Sequence, residues 1–186
     1  MKLLIINNGT SYLPQLKSLL ANHNCQVIKY TEIDTINTKD YDATILSGGH
    51  DFTVNGNEDR LSMEFDLVIN STKPILGICF GFEIIARAFG STLVSLPSKE
   101  QGIIEIEVVE PNEIFLNIPN FKVFENHRWV IKDATKEISI LARSKDGIEA
   151  FKHKTKPIYA VQFHPEMFVE KSCGAEIVDN FLNLVK

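Results

Sequence analysis

The stretch from Pro74 to Gly90 constrains the fold more than any other. A four-residue apolar run, Ile75-Leu76-Gly77-Ile78, passes directly into Cys79-Phe80-Gly81. It then continues into Ile84, Ile85, Ala88 and Phe89 at helical spacing, stopping near Gly90. An apolar run without polar alternation suits a strand buried on both faces. A strand followed at once by a helix is half of a crossover unit. The same succession recurs upstream. Leu3–Ile6 is a short apolar run, closed by Asn7-Asn8-Gly9 and followed by Leu13, Leu16, Leu19 and Leu20 on one helical face. Gln26–Tyr30 and Ala43–Leu46 read as two more strands, the latter closed by Ser47-Gly48-Gly49. Leu61, Phe65, Leu67 and Val68 mark a helix ending before Lys73-Pro74. Such alternation predicts an α/β fold with an open, mostly parallel sheet and helices on both faces. In that architecture chemistry gathers at the carboxyl ends of the strands. Gly48-Gly49 and Cys79 both fall at such ends.

The second half changes character. Ile104, Ile106 and Val108 alternate with Glu105 and Glu107. Strand-like runs follow around Phe121–Phe124, Trp129–Ile131, Ile138–Leu141 and Ile148–Phe151, which predicts a small antiparallel sheet. Pro157–Phe163 is a further strand capped by His164-Pro165-Glu166. Ile177, Val178, Phe181, Leu182 and Val185 share one face of a final helix. No repeat or linker interrupts the 186 residues, so a single domain over 1–186 is expected.

Charge and composition exclude several classes. The net charge is −5 and no basic stripe is present, so no nucleic-acid partner is expected. No apolar run is long enough to cross a bilayer, and the four apolar residues of Leu3–Ile6 are too few for an export signal. Three cysteines, Cys25, Cys79 and Cys173, do not make a disulfide framework. No paired Cys or His motif predicts a metal. A cytoplasmic protein is expected. Cys25 and Cys173 read as structural, His23 and His153 as surface residues, and Trp129 as packing.

Gly77-Ile78-Cys79-Phe80-Gly81 has the form G-x-C-x-G between a strand and a helix, the setting of a nucleophile elbow. Glycines flank the nucleophile because side chains would clash in so tight a turn. A thiol at a helix N-terminus is expected to favour the thiolate, and the Phe80 N–H to face a developing oxyanion. A buried core cysteine between packing glycines would give the same pattern. A nucleophile needs a base, and the base an orienting acceptor. His164 and Glu166, two residues apart at a strand end, face one side and supply both. Gly48-Gly49 permits close approach of a ligand to backbone, or is a plain turn.

These residues resemble the class I glutamine amidotransferases, which carry a Cys-His-Glu triad. The matching segments are Leu46–Gly49, Pro74–Gly81 and Tyr159–Glu166, in family order. Within the family the likeness is greatest to the stand-alone amidotransferase subunit of archaeal-type GMP synthase. Glu149–Tyr159, Glu100-x-Gly102 and Glu125-Asn126-His127 carry it. The resemblance implies a flavodoxin-like sheet and a glutaminase reaction. Cys79 would attack the glutamine amide and form a thioester, with His164 and Glu166 as its partners. Gly49 and Phe80 would form the oxyanion hole, and Gly48, Glu83 and His127 would bind substrate. Ammonia would pass to an ATP-dependent synthetase partner, an ATP pyrophosphatase that aminates XMP. No metal or organic cofactor is implied.

The sequence departs from the family at several points. Glu83 stands where glutamine is usual, Phe82 where histidine is frequent, and His50 where proline commonly follows the two glycines. Met167-Phe168-Val169 replaces a polar segment on the side expected to face the partner. A charged Glu83 would oppose both a substrate carboxylate and the thiolate; a solvated pair with Arg87 is the alternative. Two further readings follow: a self-contained hydrolase of γ-glutamyl compounds, or a catalytically silent module with the same fold.

Overall fold

A computed structural model describes residues 1–49, 51–116, 118 and 120–185. His50 lies outside the described residues. The parallel strands are β1 (Lys2–Asn8), β2 (Asn24–Lys29), β3 (Ala43–Gly49), β4 (Ile75–Ile78) and β9 (Ile158–Val161). The antiparallel strands are β5 (Leu93–Val108), β6 (Asn120–Ile131), β7 (Ile138–Arg143) and β8 (Ile148–His153). Among the described residues all nine lie in one sheet of order β2-β1-β3-β4-β9-β8-β7-β5-β6. The antiparallel portion is therefore a continuation of the parallel one, joined where β8 pairs with β9. It curls back towards β9: an antiparallel bridge links Phe124 to His164.

The alternation of side chains along β1 shows how the core is divided. Leu3 and Ile5 pack with helices α1 (Leu13–Leu19) and α4 (Gly174–Asn183) on one face. Leu4 and Ile6 pack on the other face with α2 (Ser62–Asn70) and α3 (Phe80–Ala88). Leu3 to Ile6 are wholly buried, as a strand covered on both sides requires.

The chain leaves β1 for β2 on one side and reaches β3 on the other. Such a reversal opens a crevice at the strand carboxyl ends. Asn8 and Gly49, paired across β1 and β3, lie beside it.

Candidate functional site

Cys79 joins β4 to α3 with φ 50° and ψ −99°. A non-glycine residue with positive φ is strained, and such strain gathers at functional turns. The Cys79 N–H is anchored to the Val161 carbonyl at 2.9 Å, so β9 holds the turn. The flanking glycines are steric necessities. A Cβ on Gly77 would lie 2.6 Å from the Gly81 carbonyl oxygen, and one on Gly81 2.7 Å from the Leu46 Cβ. The elbow thus closes only when α3 sits against the end of β3.

The thiol opens onto a cavity of about 580 Å³ lined also by Gly49, Phe80, Glu83, His127 and His164. His164 follows β9, and its Nδ1 lies 2.9 Å from Glu166 Oε1, with both side chains almost fully buried. A carboxylate so placed makes Nδ1 the protonated nitrogen and leaves Nε2 as the basic one. Gly48 does not line the cavity. A Cβ there would lie 2.8 Å from His164 Cε1, so its bareness makes room for the imidazole. Gly49 is wedged between β1 and α3: a Cβ would run into the Asn8 carbonyl and lie 3.2 Å from Phe80.

The expectation of a ground-state thiolate is overturned. Burial pushes the Cys79 thiol well above its ordinary range, and Glu83, Glu125 and Glu166 add to it; the Phe80 N–H works the other way. Desolvation penalises the anion more than one helix N-terminus rewards it. The resting group is the neutral thiol, which requires a base. Glu83 is 4% exposed and lies one turn into α3. Burial holds its carboxyl well above the usual carboxylate range. It does not pair with Arg87, which reaches Glu58 at 3.2 Å instead.

Three parts of the site escaped the sequence reading. Tyr12, in the turn after β1, sets its ring edge-on to His164 at 4.8 Å and receives a hydrogen bond from Asn126 Nδ2 at 2.7 Å. Its place after a strand end was the available signal. Asn8 is the second. Its N–H donates to Ser47 Oγ at 3.0 Å and its Nδ2 to the Ser47 carbonyl at 3.2 Å. The Glu64 carboxyl, wholly buried on α2 near Asn8, is pushed up to about 8 by burial. The third is the grouping of buried Glu125 and Glu149 around His127, itself a sequence candidate, with donor atoms within 4.8 Å of one another. His153 is a correction: it is buried, packs with its ring tilted against Phe89 at 4.4 Å, and its Nδ1 accepts from the Thr155 and Lys156 N–H groups. His23, Cys25 and Cys173 are partly buried and line none of this cavity; Trp129 packs on the core and also borders it.

A buried thiol, an imidazole with an oriented tautomer and two backbone amides around one cavity can perform acyl transfer from an amide or thioester. The family profile described as glutamine amidotransferase class-I matches residues 4–184. The chain belongs to this family. A Methanococcus aeolicus protein named as a glutamine-hydrolysing subunit of GMP synthase is 37% identical over 96% of this chain and 95% of its own length. Its namesake in Thermococcus kodakarensis is 33% identical over 98% and 97%. Among solved structures, a Thermoplasma acidophilum protein described as a candidate GMP synthase subunit aligns with a TM-score of 0.88. It is 28% identical over 100% of this chain and 94% of that one. A Thermotoga maritima glutamine amidotransferase shares the fold at TM-score 0.76 and 19% identity, over 99% of this chain and 81% of that one. Cys79 and the His164-Pro165-Glu166 segment follow the parallel strands β4 and β9, which are neighbours in the sheet.

Proposed function

We propose that this amidotransferase hydrolyses the side-chain amide of glutamine and delivers ammonia to an ATP-dependent synthetase partner. The acceptor would be XMP, making the chain the glutamine-hydrolysing part of a two-subunit GMP synthase. The His164–Glu166 pair beside Cys79 on a strained elbow carries the reading. His164 Nε2 takes the thiol proton as sulfur attacks the amide carbon. Gly49 and Phe80 N–H groups receive the developing oxyanion. The tetrahedral species collapses, its C–N bond breaks, and the proton on His164 passes to the departing ammonia. His164 then takes a proton from water, which attacks the thioester and releases glutamate and the thiol. Glu166 holds the tautomer and stabilises the imidazolium. No cofactor enters these steps.

Glu83 supports glutamine as substrate. A neutral carboxyl sets a hydrogen-bond donor beside an acceptor, as the usual glutamine amide does, with one N–H fewer. Residues 1–186 act as one amidotransferase unit in the cytoplasm, and the partner is an ATP pyrophosphatase.

The test is ammonia release from L-glutamine by the full chain, alone and with the synthetase partner, ATP and XMP. Release that disappears in Cys79→Ala supports the assignment. Release from γ-glutamyl peptides and not from glutamine would favour the self-contained hydrolase. Silence under every condition would leave the module without chemistry.

A further inference from the structure

Behind the substrate cavity, β6 and β8 bring Glu125, His127 and Glu149 together with almost no solvent exposure. His127 donates from Nδ1 to the Trp129 carbonyl at 3.1 Å, so Nε2 is the ring nitrogen left to face the carboxyls. Nε2 approaches Glu125 Oε2 at 3.2 Å, yet neither atom has hydrogen-bond alignment with any partner. The second oxygen of Glu125 and Oε2 of Glu149 are likewise buried without one. Glu149 Oε1 is held from outside the group by the Ser144 hydroxyl at 2.6 Å. A fourth residue points the same way. Gln162 N–H donates to the Glu149 carbonyl at 2.8 Å, so the two are cross-strand neighbours whose side chains share a face. Gln162 is wholly buried, and both of its amide atoms lack a partner.

We propose that Glu125, His127 and Glu149 bind one divalent transition-metal ion of the zinc class, between β6 and β8. One imidazole and two carboxylates are a borderline-to-hard donor set, suited to zinc, manganese or iron(II). Bonds near 2.0–2.1 Å place tetrahedral donors about 3.3 Å apart, close to the 3.2 Å between Nε2 and Oε2. Outer contacts orient the ligands as metal sites require: a backbone carbonyl on the imidazole N–H and a hydroxyl on one carboxylate. Gln162 Oε1 or water supplies a fourth ligand. His127 borders the cavity, which is the route in. The ion would lock β6 to β8 and set His127 against the substrate.

The competing arrangement is a proton shared between the two carboxyls, with no ion. Zinc binding by the chelator-stripped full chain separates the two, and it is read without glutamine turnover. Elemental analysis after dialysis against zinc and competition with a chromogenic chelator give stoichiometry and affinity. Wild type and Cys79→Ser are expected to hold one zinc per chain and to melt at higher temperature with it. Ser144→Ala, which leaves all three ligands in place, is expected to lose about tenfold in affinity. Glu149→Gln, where it folds by circular dichroism, is expected to lose more. Absence of stoichiometric zinc in wild type overturns the proposal. So does binding that vanishes in Cys79→Ser, or persists unchanged in Ser144→Ala and Glu149→Gln.

Discussion

Glu83 and Cys79 lie one helical turn apart, and a charge on Glu83 would raise the cost of the thiolate. Desolvation favours the protonated Glu83, so its neutral form persists above the usual carboxylate range and is lost as pH rises through its elevated pKa. On ionisation the side chain loses its donor and places a negative charge beside the thiol. The Glu83→Gln variant keeps donor and acceptor at every pH. Its kcat/KM should match wild type at low pH and exceed it increasingly as the pH rises through the elevated Glu83 pKa. A ratio that stays flat across the profile would remove Glu83 from substrate recognition. A second residue-scale outcome concerns the orienting acceptor. Glu166→Gln keeps the shape but permits the wrong imidazole tautomer. It should lower kcat on the order of 10³–10⁴-fold, with little change in KM.

At the scale of elements, the elbow depends on α3 lying against β3. A methyl on Gly81 would come within 2.9 Å of the Leu46 carbonyl carbon as well as meeting its Cβ and oxygen. Backbone cannot yield as a flexible side chain can. Gly81→Ala should cost about 1–3 kcal/mol, read as a lower urea midpoint at unchanged m-value. The glycines and thiol of this turn are legible in sequence because sterics leave so few alternatives there. The strand β6 is not. Phe121–Phe124 and Trp129–Ile131 look like two runs because Glu125-Asn126-His127-Arg128 is polar. The structure makes one strand of them, since Glu125 and His127 face the buried group. Periodicity counts acids as outward-facing, so Glu125 and Glu149 conceal the core face they occupy. Glu64 left a clearer trace. It sits in the Leu61, Phe65, Val68 stripe at the start of α2, where an acid is out of place unless it is neutral.

The whole molecule carries the consequence of that burial. Glu64 has a folded pKa of about 8 against an ordinary value near 4.5, so the folded state binds the extra proton between them. Its contribution is complete below pH 4.5 and declines until the pH passes about 8. Denaturant midpoints of wild type should therefore fall across that window relative to Glu64→Gln. An unchanged difference would mean that Glu64 keeps its charge on folding. The site also joins the two halves of the sheet. Gly49 ends a parallel strand and Cys79 and His164 follow two others, whereas His127 and Glu149 belong to antiparallel ones. No cavity wall survives the loss of either half. The nine strands should then unfold as a unit, and Trp129, the only tryptophan, reports on the antiparallel half from the cavity edge. Its fluorescence and the far-ultraviolet circular dichroism should trace one urea transition with a common midpoint. An earlier fluorescence transition would show that β5 to β8 open while the parallel strands persist. The site would then have a stability of its own, below that of the fold that carries Cys79.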